Sequence, residues 1–269
     1  MLRPRGPRCT ADEGSAAGPF ARQGGWPAMS APLAIVSAMH EELHALLPEL
    51  RDAQTTRLAG RVFHTGTIRG RPVVLVLAGI GKVAAATTAA LLIQTFEARA
   101  LVFTGVAGGL AEGVHVGDVV LATELLQHDM DASPLFPRFE VPLTGRSRFA
   151  TDPALSATLR SAALRCLSAA DFGIESPRLH EGLVVSGDRF VSSAAESTVL
   201  RAVLPDALAV EMEGAALAQV CADFGKPFAV LRTVSDRADD AAHADFSRFI
   251  AEVASVYTRT IISDWLSLI

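Results

Sequence analysis

The sequence has few cysteines, and they are far apart. Of 269 residues only Cys9, Cys166 and Cys221 are cysteines, and no two of them form a C-x-x-C pair. This spacing argues against a disulfide framework and against a zinc knuckle. It fits a protein of the reducing cytoplasm.

Long apolar runs and an excess of positive charge are missing as well. No uninterrupted apolar stretch reaches the roughly 18 residues that a membrane-spanning helix requires. The formal net charge is -5, and no long basic stripe is present. Membranes and nucleic acids are therefore not expected as partners.

The first 30 residues differ in composition from the rest of the chain. They are rich in Gly, Pro, Ala and Arg and lack the apolar block of a secretory signal. We expect Met1–Ala28 to be disordered, with Met29 as a candidate start, and residues 31–269 to form one domain. With 50% hydrophobic residues, that length is ample for one large core.

Short apolar runs alternate with helical patterns along the chain. Runs such as Leu33–Val36 and Phe228–Val234 are typical of buried strands, and a helical leucine pattern extends over Leu43–Leu50. A hairpin is expected to turn near Arg69–Gly70. The alternation predicts a single-domain, three-layer α/β/α sandwich around a mixed sheet.

Three acidic residues stand near the ends of predicted strands, where α/β proteins carry function. Glu42 lies in "SAMHEEL", Glu213 in "VEMEG" and Asp236 in "TVSD". Each has an ordinary structural explanation. An acid in the first turn of a helix complements the helix dipole by about 0.3–1 kcal/mol, and an Asp caps a helix. Glu211, the first acid of "VEMEG", is either a helix-start acid or a supporting partner of Glu213.

The same residue types also suit a catalytic site. A carboxylate facing a cavity can hold two vicinal hydroxyls through its two oxygens, as proteins commonly hold a ribose. A partly buried Asp with a raised pKa can protonate a leaving group. Arg232 lies on the strand that precedes Asp236 and is expected to be a counter-charge. These residues alone leave both interpretations open.

Two glycine-rich segments, "LAGIGKVAAA" and "FTGVAGGL", are candidates for phosphate-binding loops. A P-loop would need glycine at position 76 and Ser or Thr at position 83, and both positions are valine. The second segment lacks the G-x-G-x-x-G spacing. We therefore expect tight turns with close backbone packing, either of which could bring N–H groups against a flat ligand.

The segment "QHDMDASPLFPRF" combines polar and exposed apolar character. His128, Asp129 and Asp131 do not have the spacing of a metal site, so loop capping is favoured over metal binding. Its apolar residues, which include Leu135, suggest a partner surface or a lid. Phe190, in "SGDRFVS", could stack on a base or belong to the core.

Taken together and in order, these segments resemble the bacterial 5′-methylthioadenosine/S-adenosylhomocysteine nucleosidases of the nucleoside phosphorylase superfamily. The resemblance covers about residues 31–250 and includes "AIVSAMHEEL", "AGIGKVAAA", "TGVAGGL", "VGDVV", "HDMDAS", "VSGDRFV", "AVEMEGAALAQVC" and "RTVSDRAD". It implies a single α/β sandwich around a mixed, partly barrel-like sheet, usually as a homodimer. It also implies cleavage of an N-glycosidic bond without a metal or an organic cofactor.

The resemblance further implies a role for each acid. Glu42 matches the carboxylate that activates the attacking water, Glu213 the one that holds the ribose hydroxyls, and Asp236 the acid that protonates purine N7. Ala132 and Leu135 match positions through which a partner subunit closes the 5′-thioalkyl pocket. The implied substrate-binding residues are Met39, Val106, Ala107, Gly108, Phe190, Val191, Met212, Arg232, Ser235 and Phe246.

One departure from the family bears on the choice of nucleophile. Val106 stands where enterobacterial members have serine, and phosphorylases of the superfamily use a serine and arginines near this loop to hold phosphate. With valine here and acids in "SAMHEE", water is the expected nucleophile. We expect hydrolysis of methylthioadenosine and adenosylhomocysteine, with 5′-deoxyadenosine as a further candidate. The alternatives are a phosphorylase, another purine nucleoside hydrolase of the superfamily, such as one acting on futalosine, and a catalytically silent nucleoside-binding module.

Overall fold

The structure, a computed structural model, describes residues 31–169, 174, 176–238 and 249–269. The expectation for residues 1–30 lies outside these ranges. Within them, no helix has the length and apolar character that crossing a bilayer requires.

In the part of the chain that the structure describes, ten strands form one mixed sheet, and half of this sheet closes on itself. The strands are β1 (Leu33–Ser37), β2 (Arg51–Leu58), β3 (Arg61–Ile68), β4 (Arg71–Leu77), β5 (Ala100–Gly109), β6 (Val119–Gln127), β7 (Arg148–Ala150), β8 (Leu179–Ser186), β9 (Ala207–Glu211) and β10 (Phe228–Asp236). Strands β5, β10, β6, β8 and β9 pair in that order, and β9 pairs back with β5 to close a five-stranded barrel. The sheet continues from β5 through β1, β4 and β3 to β2, and β7 pairs with β6.

Helices cover both sides of this sheet. They are α1 (His40–Leu46), α2 (Lys82–Gln94), α3 (Pro153–Ala169), α4 (Ala194–Val203), α5 (Gly214–Asp223) and α6 (Ser255–Leu268), with a 3₁₀ turn at Leu47–Glu49 and a π turn at Ile250–Ala254. Helices α2 and α5 share one hydrophobic core with the sheet, and α1, α3 and α6 share another. Burial of apolar surface on both faces explains the nearly all-apolar strands. The predicted sandwich with a barrel-like sheet is confirmed.

The glycine-rich segment after β4 is a turn, but the one in β5 is not. Gly79 and Gly81 have positive φ angles of 82° and 90°, as tight turns require. "GVAGG" instead continues strand β5 to Gly109, so the prediction of a second tight turn was wrong. Small residues are needed there because β5 changes partner from β1 to β9. A Cβ atom at Gly105 would lie 2.8 Å from the Cβ atom of Ala38.

Other boundaries differ from the prediction for local reasons. Helix α1 ends at Leu46 and not at Leu50, because Pro48 has no N–H to continue the helical ladder. Strand β2 was not predicted, since its exposed edge position leaves "RDAQTTRL" almost without apolar residues. The hairpin turn at Arg69–Gly70 is confirmed by the pairing of β3 with β4.

Candidate active site

A cavity of about 210 Å³ lies at the ends of strands β1, β5, β8, β9 and β10. Such strand ends are the usual place for ligand sites in α/β proteins. Ten of the residues predicted from the sequence line this cavity, although they come from five separate segments. They are Met39, Val106, Ala107, Gly108, Phe190, Val191, Met212, Glu213, Ser235 and Asp236.

Glu213 presents its carboxylate to the cavity from the start of α5. Strand β9 ends at Glu211, and Glu213 is the residue that precedes the helix. Its Oε1 atom accepts a hydrogen bond of 2.8 Å from the backbone N–H of Gly81. Burial, followed by the nearby charge of Glu211, raises the pKa of Glu213 to about 7, and the Gly81 bond works against this rise.

Glu211 is buried and serves both as a helix cap and as the partner of a buried cation. Its carboxylate accepts backbone N–H groups of Glu213 at 3.1 Å and of Gly214 at 2.8 Å, and it accepts the Ser186 hydroxyl. Its Oε2 atom also lies 2.7 Å from Nη2 of Arg232. Glu211 is therefore both an acid at the start of α5 and a partner of Glu213, whose N–H it accepts, so the two interpretations that the sequence left open do not exclude each other.

Arg232 is fully buried, and its positive charge is close to several acids. Besides the ion pair with Glu211, its guanidinium lies 4.1 Å from the centre of the Phe103 ring and donates to the Phe103 carbonyl at 3.2 Å. It lowers the pKa of both Glu42 and Glu213 by Coulomb attraction. The ion pair that the structure gives Arg232 is with Glu211, and Arg232 does not line the cavity.

Glu42 lies behind the cavity wall formed by Ala38 and Met39. It is fully buried and does not line the cavity. Its Oε2 atom accepts the Met39 N–H at 3.1 Å, which caps α1, and its Oε1 atom accepts the hydroxyl of Thr258 at 2.8 Å. Burial raises the pKa of Glu42 to about 7, despite the opposing effects of Thr258 and Arg232. Glu42 does lie in the first turn of α1, as the helix-dipole explanation expects, but this burial and pKa go well beyond what that role requires.

Asp236 reaches the cavity because β10 is irregular at its end. The register with β5 shifts between Val234 and Asp236, so that the adjacent residues Ser235 and Asp236 both face the cavity. Asp236 accepts the Ser235 hydroxyl at 2.8 Å through Oδ2 and the N–H of Ala238 at 2.8 Å through Oδ1. A Cβ atom at Gly108 would lie 2.9 Å from Oδ1 of Asp236, so a glycine is needed opposite the acid.

Two of the remaining predicted site residues, Ala132 and Leu135, lie away from the cavity. Leu135 is 83% exposed on the segment after β6, and neither it nor Ala132 lines the cavity of its own chain. Phe246 lies outside the described residues. Asp131 accepts the backbone N–H of Ser133 at 3.0 Å, as loop capping requires. Among the residues that the structure describes, no group of three or more His, Cys, Asp or Glu side chains could hold a metal ion.

Among the described residues that line the cavity, the sequence analysis did not identify Ala38, Ile80, Arg189 and Val210. Two of these have side chains that differ in how well the sequence could have indicated them. Ile80 stands between two positive-φ glycines, and its side chain is 78% exposed at the cavity. A large apolar residue in a two-glycine turn after a buried strand was the available signal. Arg189 precedes Phe190 and is paired with Glu196. No local pattern distinguishes it from a surface arginine.

A fold with this barrel and an acid-lined cavity at its strand ends defines a member of the phosphorylase superfamily, whose family model matches residues 32–263. Two relatives are named 5′-methylthioadenosine/S-adenosylhomocysteine nucleosidase. The one from Anoxybacillus flavithermus is 35% identical over 82% of this chain and 92% of its own length. The one from Shewanella denitrificans is 37% identical over 81% of this chain and 91% of its own.

A solved structure agrees with these relatives. The nucleosidase of Neisseria meningitidis, in complex with methylthio-immucillin-A, superposes with a TM-score of 0.80 at 34% identity, covering 89% of this chain and all of that one. The chain belongs to the family of 5′-methylthioadenosine/S-adenosylhomocysteine nucleosidases. The resemblance inferred from the sequence motifs is thereby confirmed.

Proposed function

We propose that this protein hydrolyses the N-glycosidic bond of 5′-methylthioadenosine and S-adenosylhomocysteine, releasing adenine and the 5′-substituted ribose. The observation that carries the proposal is the convergence of Glu213 and Asp236 in one cavity beside Phe190 and Val191. The family relatives, by their names, act on these two nucleosides.

The charges that develop during bond cleavage match the acids of the site. Breaking the bond leaves positive charge on the ribose ring and negative charge on the adenine. Asp236 would donate a proton to purine N7 and so neutralise the leaving base, while Glu213 holds the ribose hydroxyls. Phe190 offers an aromatic face for the adenine, and Met212 offers an apolar contact for the sugar.

Glu42 is proposed to take the proton of the attacking water. A carboxyl group whose pKa is about 7 can accept a proton at neutral pH, and burial supplies that pKa. The carboxylate accepts the N–H of Met39, and Met39 lines the cavity, so the acid is one residue contact away from the cavity. The Glu42→Gln variant tests this step, because glutamine keeps the helix cap but cannot accept the proton.

Water is favoured over phosphate as the nucleophile by the charges around the cavity. Arg189 is the only arginine or lysine among the described residues that line it, and Glu196 pairs with that arginine. The guanidinium of Arg232 forms an ion pair with the carboxylate of Glu211. Of the three carboxylates that line the cavity, those of Glu213 and Asp236 would repel a phosphate dianion, and Val106 offers no hydroxyl to it.

The test is to incubate the purified protein with methylthioadenosine, adenosylhomocysteine, 5′-deoxyadenosine and futalosine, each with and without phosphate. The proposal predicts free adenine and the free 5′-substituted ribose at a rate that phosphate does not change. A sugar 1-phosphate product would identify a phosphorylase instead. Base release from futalosine alone would identify another hydrolase. Ligand-dependent melting without base release would identify a binding module.

Substitution of the acids assigns their roles. Asp236→Asn should lose at least about 10²-fold in kcat, the usual contribution of one proton transfer, while binding of adenine survives. Glu42→Gln should show a similar loss. Asp152→Asn is a matched control, because Asp152 caps α3 and does not line the cavity. Adenine release by Asp236→Asn at the wild-type rate would refute its assignment as the acid.

We also propose that the protein is a homodimer in which Ala132 and Leu135 close the 5′ pocket of the partner. The support is a set of large apolar side chains exposed near the cavity and on the segment after β6, namely Ile80, Val83, Leu135 and Leu143. Sedimentation should give twice the mass of the chain. Leu135→Glu should weaken the dimer and raise KM for methylthioadenosine, and a monomeric wild type would refute this part.

A cytoplasmic location is proposed as well. Cys166 and Cys221 are buried free thiols, which fits a reducing compartment. Recovery of the protein with the cytoplasmic fraction of its cell would test this.

A further inference from the structure

Three charged residues beside the cavity close a ring of hydrogen bonds, although none of them lines the cavity. The ammonium Nζ of Lys82 donates to Oδ1 of Asp129 at 2.6 Å. The backbone N–H of Asp188 donates to Oδ2 of the same carboxylate at 2.9 Å. Oδ1 of Asp188 in turn accepts the backbone N–H of Lys82 at 2.7 Å. Each residue therefore bonds both others, and we call Lys82, Asp129 and Asp188 the rim ring.

The rim ring joins segments that are distant in sequence and partly removed from solvent. Lys82 is 47 residues from Asp129 and 106 residues from Asp188. The side chains of Lys82 and Asp129 are only 17% and 32% exposed. Burial works to raise the pKa of Asp129, but the Lys82 ammonium and the Asp188 N–H outweigh it and hold that pKa below its usual value. The Asp129 carboxyl group is therefore ionised at neutral pH.

Two residues of the rim ring, Lys82 and Asp188, are adjacent in sequence to parts of the candidate active site. Gly81 precedes Lys82, and its N–H donates to the carboxylate of Glu213, which is 132 residues away. Asp188 is followed by residues 189–191, which line the cavity. The packing is close, because a Cβ atom at Gly81 would lie 2.9 Å from Oδ1 of Asp188.

We propose that the rim ring is a positioning device, which holds the Gly81 N–H on the Glu213 carboxylate and residues 189–191 against the cavity. This inference rests on the function proposed above, in which Glu213 must be charged to hold the ribose hydroxyls. A hydrogen bond donated to a carboxylate favours its charged form. Loss of the ring should therefore weaken the Gly81 bond and raise the pKa of Glu213.

Two single substitutions separate positioning from a simple effect of charge. Lys82→Met removes a positive charge, and Asp129→Asn removes a negative one. A through-space Coulomb effect would raise the pKa of Glu213 in the first variant and lower it in the second. Loss of positioning raises it in both. Asp129→Asn is therefore the decisive variant.

The direct measurement is a ¹³C-NMR titration of glutamate carboxyl groups in the ligand-free protein, with Glu213→Gln used to assign the Glu213 signal. We expect the Glu213 titration to move to higher pH by about 0.5–1 unit in both variants. Lys82→Arg, which keeps the charge and can reach Asp129, should move it less. A shift to lower pH in Asp129→Asn, or no shift in either variant, would overturn the proposal.

The second measurement is the pH dependence of kcat/KM for methylthioadenosine. The acidic limb should move to higher pH in both variants, with a loss of about three- to tenfold near pH 6 that recovers in part at higher pH. Arg160→Met and Glu181→Gln are the controls. They break an exposed ion pair that does not line the cavity, in which Nε of Arg160 lies 2.7 Å from Oε1 of Glu181, and they should shift neither readout. A uniform loss at every pH would mean a merely structural role and would refute positioning.

The two readouts also separate this inference from the proposed function. If the wild type releases no adenine but the NMR shift occurs, the function fails and the rim ring stands. If the wild type is active and neither readout moves, the rim ring fails and the function stands. Should Asp129→Asn not fold, Asp188→Asn takes its place, because it also removes a negative charge from the ring.

Discussion

The buried pair of Glu211 and Arg232 should dominate the stability of the site. Glu211→Gln keeps the shape of the side chain but leaves the Arg232 cation, which is fully buried, without its counter-charge. Removing one partner of a buried ion pair costs about 3–5 kcal/mol. The N–H groups of Glu213 and Gly214 keep an uncharged acceptor, so we expect a value near the lower end, about 3 kcal/mol. At about 2–4 °C per kcal/mol, Tm should fall by about 6–12 °C.

The assay is urea unfolding of four proteins that form a double-mutant cycle. These are the wild type, Glu211→Gln, Arg232→Met and the double variant. Because each single variant leaves a buried group without its partner, the double variant should be more stable than the sum of the two losses predicts. Glu181→Gln, at an exposed pair, should change stability by less than about 1 kcal/mol. A Glu211→Gln protein as stable as the wild type, or strictly additive losses, would refute the reasoning.

The same variant predicts a direction for catalysis. The charge of Glu211 raises the pKa of Glu213. Its removal should lower that pKa, so the acidic limb of kcat/KM should move to lower pH. This is opposite to the shift expected for the rim-ring variants. The pH profile of kcat/KM, measured under conditions in which the variant is folded, would check the direction of this shift. A shift of the acidic limb to higher pH would contradict the prediction.

Three further predictions follow from particular contacts. Gly108→Ala places a Cβ atom 2.9 Å from both the Cβ atom of Ala238 and Oδ1 of Asp236. One of these neighbours must move, so kcat should fall by about tenfold or more and Tm should fall as well. An unchanged kcat would show that the acid needs no fixed position. Thr258→Val removes a hydrogen bond that lowers the pKa of Glu42. The acidic limb of the pH profile of kcat should therefore move to higher pH, and a limb that does not move would refute the assignment of Glu42 as the base. Folding raises the pKa of Glu42 from 4.5 to about 7. The folded state therefore favours the protonated carboxyl group, and the stability linked to this proton is fully present below pH 4.5 and is lost as the pH rises through 7. Glu42→Gln should therefore be more stable than the wild type at pH 8 but not at pH 4.5, as urea unfolding at both values would show, and equal differences at both would contradict the linkage.

The positions of most strands, helices and the β3–β4 hairpin could be predicted from the sequence, because apolar periodicity and turn residues act over a few neighbouring positions. The motifs around Glu42, Glu213 and Asp236 were sufficient to infer the family before any geometry was known. Pro48 was also visible in the sequence, and its effect on the end of α1 was overlooked.

Other features were decided by the tertiary structure alone. Strand β5 pairs with β1, β9 and β10, and this pairing turned "GVAGG" from an expected turn into a strand. The pKa of Glu42 depends on Thr258, which lies 216 residues away, and the Gly81–Glu213 bond spans 132 residues. Local residue patterns set backbone preferences. Burial and the partners of a charge depend on which distant segments the closed barrel brings together, and these set the chemistry of the acids.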